Sequence, residues 1–288
     1  MLRDLLVSMR ISHWSKNLMV FAGLVFAQKA ADPSLLLRAV LTFVSFCLVS
    51  SAIYIINDVA DAPADRCHPL KKDRPIAAGR ITNGTAALTV FLLGLAGLGC
   101  AIVLPRYAMW TIFIYFFLNQ LYSYFAKKLV IIDVMFLAAG FVLRVVAGTL
   151  AVGVETSHWL LICTFLLSLF IGFGKRRNEL TLLADGASGH RGVLAEYSPV
   201  FLDQMIAVVT PSTLVCYILY TVSPDTVLKF GGHGLLYSVP FVIYGIFRYL
   251  YLIHERSQGG DPAVLVMRDR WLLGSVIGWV VAVCLVIY

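Results

Sequence analysis

What limits this chain most is a succession of apolar runs, each close to the ~20 residues that carry a helix through a bilayer. They centre on 17–31, 35–56, 85–104, 107–126, 129–153, 158–174, 200–222, 235–254 and 271–288. Of the 288 residues, 60% are apolar and only 14% charged, whereas a soluble domain carries about 25% charge. A large soluble domain is therefore excluded. The expected architecture is an all-α integral membrane protein with nine transmembrane helices in one polytopic domain, 1–288. The first and sixth runs are the shortest, so their polar flanks must snorkel or lie in a locally thinned bilayer. The opening MLRDLLVSMRISHWSKN lacks an uninterrupted apolar stretch and a small-residue cleavage site, and is not read as a cleaved signal peptide. It fits a short interfacial helix with Leu2, Leu5, Leu6 and Met9 along one side.

The net charge of +7 points to anionic headgroups or anionic substrates rather than to nucleic acid. The cations alternate from loop to loop. One set of loops holds Arg3, Arg10 and Lys16; Arg66, Lys71, Lys72, Arg74 and Arg80; Lys127 and Lys128; Lys175, Arg176, Arg177 and Arg191; and Arg256, Arg268 and Arg270. The other set holds only Lys29, Arg38, Arg106 and Lys229. By the positive-inside rule the first set is cytoplasmic, which places the N-terminus in the cytoplasm and the protein in the plasma (inner) membrane. None of the six cysteines, Cys47, Cys67, Cys100, Cys163, Cys216 and Cys284, has metal-ligand or redox spacing, and they read as small buried hydrophobes.

The second apolar run ends in NDVADAPADRCHPLKKDRPIAAG, Asn57 to Gly79. Asn57, Asp61 and Asp65 are spaced i, i+4, i+8, with Asp58 beside them, so on a helix their oxygens share one face. Like charges in that register repel unless a cation is supplied. Hard oxygen ligands on one face suit Mg²⁺, which binds through one or two carboxylates plus substrate phosphates. Pro63 removes a backbone donor and disfavours helix at Ala62, so a kink or helix end is expected there. Arg66, Lys71, Lys72 and Arg74 follow, with His68, in a loop bounded by Pro69, Pro75 and Gly79. They read either as surface ion pairs or as cations for phosphate oxygens beyond the metal. The two catalytic loops are expected near 57–84 and 174–199.

The second loop, GKRRNELTLLADGASGHR, offers Lys175, Arg176, Arg177 and Arg191 for phosphates, and Glu179 and Asp185 for a second metal or a base. Glu179, four residues after Lys175, also reads as an ordinary helix-surface pair. LYSYFAKKL brings Tyr122 or Tyr124 near Lys127 and Lys128, and RISHWSKN offers Arg10, Lys16 and Asn17 at the start of the first run. Arg144 lies inside the 129–153 run. A cation at that depth costs ~2.5–3.5 kcal/mol on insertion scales and faces the bundle interior, toward a ligand or a helix carbonyl. Two acids lie within the runs, Asp133 and Asp203, each near an end. A coupled transporter more often carries acids at the midplane, so the polar density at helix ends favours an interfacial enzyme over a transporter or a non-catalytic lipid-binding protein.

NDVADAPAD fits the NDxxDxxxD motif, and with it the chain resembles the UbiA-type intramembrane prenyltransferase superfamily. Further stretches are similar to its decaprenyl-phosphate phosphoribosyltransferase branch: HWSKNLMVFAGLVFA, HPLKKDRPIAAG, the YS…KK…D…AAGFVLRVVAG run, FGKRRNEL and GIFRYLYLIHE…GGDPAVLVMRDR. They cover nearly the whole chain from residue 10 onward. The resemblance implies Mg²⁺-dependent transfer of 5-phosphoribose from phosphoribosyl pyrophosphate to a polyprenyl phosphate, a step toward lipid-linked arabinose for the cell wall. It implies Asn57, Asp61 and Asp65 as metal ligands with Asp58 beside them. Phosphate-binding positions are Lys16, Asn17, Arg66, Lys71, Arg74, Lys128, Arg144, Lys175, Arg176 and Arg191, and catalytic positions include Tyr122, Lys127 and Glu179. A homo-oligomer is among the assemblies it allows. The chain departs from the superfamily in the later loop, where Glu179 and Asp185 stand six apart instead of forming DxxxD, and at His13, where a Gln is expected. The competing reading within the superfamily is transfer of a prenyl group from a prenyl diphosphate to an aromatic or glyceryl acceptor. The density of cations beyond the needs of one diphosphate favours phosphoribosyl transfer.

Overall fold

The computed structural model describes residues 1–67, 71–184, 194, 196–256 and 262–288. Among them every regular element is helical. The α-helices are α1 Leu2–Met9, α2 Ala22–Phe26, α3 Pro33–Arg66, α4 Asn83–Ile102, α5 Arg106–Tyr124, α6 Ile132–Val152, α7 His158–Ala184, α8 Pro199–Val222, α9 Pro224–Phe230, α10 Val239–His254, α11 Pro262–Arg268 and α12 Arg270–Ile287. Three 3₁₀ segments, Ile11–Phe21, Ala126–Lys128 and Gly234–Ser238, connect them. The chain divides into two compact units, one built on Met1–Thr156 and the other on the described residues from Ser157 onward.

Helix starts follow local chemistry. Asp32 accepts from the amides of Ser34 and Leu35 at 2.8 and 3.2 Å, with Pro33 at the first helical position of α3. Thr82 caps α4 through the Thr85 amide, and Ser198 caps α8 through the Phe201 amide with Pro199 following. These residues satisfy amides that have no partner within the helix. α3 does not end at Pro63. It runs on to Arg66, because a proline costs one hydrogen bond and a steric adjustment of ~3 kcal/mol, while Ala62 packs with Ile76 and Ile81 and Asp65 is paired with Arg74.

Among the described residues, seven helical segments are long and apolar enough to cross a membrane: Pro33–Arg66, Asn83–Ile102, Ile132–Val152, His158–Thr181, Pro199–Val222, Gly234–His254 and Arg270–Ile287. The chain is a multi-pass membrane protein. Two of the nine expected spans differ. The 107–126 run is the helix α5, but its tyrosines, Asn119 and Gln120 make it less apolar than the others. The 17–31 run is no straight helix; it is the end of the 3₁₀ segment Ile11–Phe21 followed by the five-residue α2. Side-chain anchors hold it in that path. Trp14 Nε1 donates to Ser51 Oγ at 3.1 Å, and Asn17 Nδ2 donates to Cys47 Sγ at 3.2 Å. Gly148 of α6 admits the segment at very close range, since a Cβ there would lie 1.9 Å from the Val20 carbonyl oxygen.

In the first unit α3 is the central element. Phe46, Val49 and Ile53 of α3 form a core with Val20, Ala108, Ile112 and Tyr115 of α5, and Ala147 and Ala151 of α6. A second cluster matters more for function. Ala52, Ile55 and Ala62 of α3 pack with Ile76 and Ile81 of the following loop and with Ala86 and Leu93 of α4. Full burial of an isoleucine is worth ~1.5–3 kcal/mol, so Ile76 and Ile81 fold the loop back along the end of α3. In the second unit Gly174 of α7 lets α10 approach; a Cβ there would lie 2.7 Å from Ile253 Cδ1.

Candidate active site

The acidic end of α3 and its loop form one cluster of interlocked charges. Asp58 and Asp65 are seven residues apart, so they lie within about 20° of one line along the helix. Both are only 4% exposed. The loop packed down by Ile76 carries Arg74 to them: Arg74 Nη1 donates to Asp65 Oδ2 at 2.7 Å and to Asp58 Oδ1 at 3.2 Å. Asp58 Oδ1 also accepts from Arg10 Nη2 at 2.7 Å. Arg10 reaches inward from the junction between α1 and the 3₁₀ segment, where its backbone is left-handed with φ 52°, and its guanidinium lies 4.7 Å from the centre of the Tyr54 ring. His13 Nδ1 is 3.4 Å from the Tyr54 hydroxyl.

Asp61 lies about 60° further round the helix and is less enclosed, its side chain 45% exposed. Its partner is Lys127, whose Nζ is 3.2 Å from Asp61 Oδ1. Of the two adjacent lysines the structure therefore brings Lys127 to the acidic end of α3, while Lys128 is exposed. Asn57, Lys16, Lys71 and Tyr122 are half-buried. Arg66 is exposed and donates from Nε to the Ala77 carbonyl at 3.1 Å, which helps to fasten the loop. Arg80 donates to Asp4 Oδ1 at 3.0 Å, and that hydrogen bond holds the Asp4 carboxyl below the usual carboxylate range.

Two further expected phosphate ligands are paired with each other. Arg144 and Asn17 are both buried. Arg144 donates to Asn17 Oδ1 at 2.7 Å, to the Gly140 carbonyl at 2.8 Å and to the Tyr115 hydroxyl at 2.7 Å. This joins α6 to α5 and to the 3₁₀ segment, and it matches the alternative of a cation held by the bundle itself.

In the second unit, α7 presents the other basic group. Arg176 is buried and pairs with Glu179, and Lys175 Nζ lies 4.0 Å from Glu179. Arg177 donates to Asp203 Oδ1 of α8 at 3.2 Å, and His254 Nε2 of α10 lies 3.1 Å from the same oxygen. His68, Asp185, His190 and Arg191 lie outside the described residues. Tyr54, Asp203 and His254 were not placed in a site from the sequence, and Arg10 was offered with Lys16 and Asn17 but not paired with Asp58. Arg10 stands 48 residues from Asp58, and no spacing rule connects them. The one available signal was the seven-residue interval of Asp58 and Asp65, which aligns that pair better than the i, i+4, i+8 series.

Among the described residues no three His, Cys, Asp or Glu side chains gather closely enough to cage an ion. The donors present suit a hard cation that takes one or two carboxylates and completes its shell with ligand phosphates and water, as Mg²⁺ does. The bridging of Asp58 and Asp65 by a single guanidinium nitrogen shows that these two carboxylates can share one positive centre.

Residues 17–273 match the sequence profile of the UbiA prenyltransferase family. The decaprenyl-phosphate phosphoribosyltransferase of Corynebacterium glutamicum is 31% identical over 98% of this chain and 86% of its own. An uncharacterized protein of Sinorhizobium fredii, y4nM, is 32% identical over 96% of this chain, which spans 54% of that relative's length. A solved UbiA homolog from Archaeoglobus fulgidus, bound to DMAPP and Mg²⁺, superposes with a TM-score of 0.74 over 97% of this chain and 96% of its own, at 17% identity. That likeness concerns the fold. By its sequence profile, the chain belongs to the UbiA prenyltransferase family.

Proposed function

We propose that this transferase moves 5-phosphoribose from phosphoribosyl pyrophosphate to a polyprenyl phosphate such as decaprenyl phosphate. The products are polyprenyl-phosphoryl-5-phosphoribose and pyrophosphate, and the step leads toward lipid-linked arabinose for the cell wall. The observation that carries the reading is the acidic end of α3, where Asp58, Asp61 and Asp65 are laced with Arg10, Arg74 and Lys127. It is supported by relatives named decaprenyl-phosphate phosphoribosyltransferase that align over nearly the whole chain. The proposed setting is a plasma-membrane protein with one polytopic domain, its N-terminus and both charged loops cytoplasmic, and nine crossings if α5 and the 17–31 segment are counted.

In this scheme an oxygen of the acceptor phosphate attacks C1 of the ribose, and the bond from C1 to the pyrophosphate oxygen breaks. The electron pair leaves with pyrophosphate. The acceptor is already anionic, so no strong general base is needed. Asn57, Asp61 and Asp65 would hold Mg²⁺, with Asp58 beside them; when bound, the ion supplies charge neutralisation of the diphosphate. Arg74, Lys71, Lys127 and Lys16 stabilise the negative charge that develops on the leaving group, an effect that strengthens as water is excluded. On α7, Lys175 and Arg176 are proposed to hold phosphate and Glu179 to position them.

The family also admits transfer of a prenyl group from a prenyl diphosphate, as the DMAPP-bound homolog with this fold suggests. One assay separates the two: purified protein in detergent with Mg²⁺, labelled phosphoribosyl pyrophosphate and a polyprenyl phosphate. Label is expected in the lipid phase. No such transfer, together with turnover of a prenyl diphosphate and an aromatic acid, would refute phosphoribosyl transfer.

A further inference from the structure

The carboxylates best placed to share a positive charge already share one. Asp58 and Asp65 are buried one above the other on α3. Two enclosed carboxylates so aligned repel each other and have lost much of their hydration, which is tolerable only if each is paired. Arg74 Nη1 stands between them, 3.2 Å from Asp58 Oδ1 and 2.7 Å from Asp65 Oδ2. Arg10 Nη2 closes on Asp58 at 2.7 Å. Each acid thus already has a guanidinium partner. A divalent ion entering alone would add two positive charges next to two guanidinium groups. The same ion arriving with a diphosphate brings the anions to which a guanidinium can turn.

Arg74 is built to turn and Arg10 is not. The Arg74 side chain is 30% exposed and that of Arg10 27%, so the difference lies in how each is held rather than in exposure. Its backbone is fastened separately: its amide donates to the Lys71 carbonyl at 3.0 Å and its carbonyl accepts from the Ala78 amide at 2.8 Å. Rotation about side-chain bonds alone therefore carries the guanidinium off the acids, and its planar fork matches phosphate oxygens in pairs. Arg10 is held over the Tyr54 ring.

Resting on the diphosphate-site reading above, we infer that Arg74 is an exchangeable internal cation, which bridges Asp58 and Asp65 in the ligand-free protein and passes to a diphosphate when a divalent metal arrives with it. Metal and diphosphate then bind cooperatively, each raising the affinity for the other by the same factor. Arg74 sets that coupling and also keeps the acids ordered when no metal is present.

The test is a titration of full-length wild type and Arg74→Gln in detergent with Mn²⁺, free ion being read by electron paramagnetic resonance, with and without inorganic pyrophosphate. Wild type should bind Mn²⁺ weakly alone and at least about fivefold more tightly with pyrophosphate, the lower end of ordinary coupling. Arg74→Gln should bind Mn²⁺ alone at least about fivefold more tightly than wild type and gain less from pyrophosphate. The complex that the metal forms with pyrophosphate in solution is titrated without protein and subtracted, so that only protein-bound Mn²⁺ is compared. Arg74→Lys, which keeps the charge, should retain weak binding of Mn²⁺ alone. Equal Mn²⁺ affinity with and without pyrophosphate in wild type overturns the inference without recourse to a variant. Arg74→Gln binding Mn²⁺ no more tightly than wild type also overturns it while leaving the diphosphate site standing. Wild type that binds neither Mn²⁺ nor pyrophosphate removes the diphosphate site and the inference with it.

Discussion

Replacing Arg144 by Met separates a cation that serves the fold from one that serves a ligand. Arg144 is 6% exposed, and its three donors end on Asn17 Oδ1, the Gly140 carbonyl and the Tyr115 hydroxyl at 2.7–2.8 Å. Methionine keeps much of the stem and removes the guanidinium. Hydrogen bonds to a charged group are worth ~1.5–3 kcal/mol each, but methionine also recovers the several kcal/mol lost in burying the charge. What it cannot recover is the Asn17 oxygen and the Tyr115 hydroxyl, each left unpaired at ~1–3 kcal/mol. The expected loss is therefore about 4 kcal/mol, or about 8–16 °C in Tm at ~2–4 °C per kcal/mol for domains of 150–250 residues. Thermal unfolding in detergent measures it. The double variant Arg144→Met, Asn17→Leu should regain about 1–3 kcal/mol, because one of the orphaned acceptors is gone. If Arg144→Met unfolds within about 2 °C of wild type and instead raises KM for the polyphosphate donor, the guanidinium serves the ligand and this reasoning fails.

Asp61→Asn should lower transfer at least about 100-fold and change stability by only ~0–1 kcal/mol, since water reaches its ion pair with Lys127, the two side chains being 45% and 26% exposed; label transfer and Tm are read on the same preparation, and retained activity would remove Asp61 from the metal site. Gly148→Ala forces a Cβ to 1.9 Å from the Val20 carbonyl oxygen and should cost about 3 kcal/mol or more. In contrast, Gly94→Ala in α4, where a Cβ would meet nothing within 4 Å, should be neutral or stabilising by up to about 1 kcal/mol; equal Tm changes for the two would contradict the close packing of α6 on the 3₁₀ segment. Asp269 caps α12 through the Leu272 amide and accepts two hydrogen bonds from Arg248, which hold its carboxyl below the usual carboxylate range. The stability it contributes is present at neutral pH and is lost as pH falls below about 4. Asp269→Asn keeps a capping oxygen and loses the ion pair, so its Tm should fall below wild type at pH 7, and the gap should narrow as pH falls below about 4; a gap that widens there would reverse the sign.

Much of the fold is legible in the sequence because its signals are local. Asp32-Pro33, Thr82 and Ser198-Pro199 mark helix starts, and eight of the nine apolar runs are long helices. The 17–31 run fails because its path is set by distant partners, Ser51, Cys47 and Gly148, rather than by its own hydropathy. The persistence of α3 through Pro63 has the same origin: packing of Ala62 with Ile76 and Ile81, and pairing of Asp65 with Arg74, outweigh a local preference to stop.

The site divides likewise. Which residue types stand where is a matter of chain order, so a stripe of acids on α3, followed by a basic loop, could be read directly from periods of three, four and seven. Pairing was beyond that reading. Arg10 from the N-terminal junction, Arg74 from a loop folded back by Ile76 and Ile81, and Lys127 from the segment after α5 converge on one helix end from three places in the chain. Their convergence depends on backbone paths fixed by packing, and so does the choice of Lys127 over Lys128. The sequence by itself determined a multi-pass helical chain with a helix end suited to Mg²⁺ and phosphate, because bilayer thickness and helical periodicity act on neighbouring residues. Only the tertiary structure decided which cations guard which acids, and that Arg144 is enclosed by the bundle, because charges separated by tens of residues meet only where the core brings their helices together.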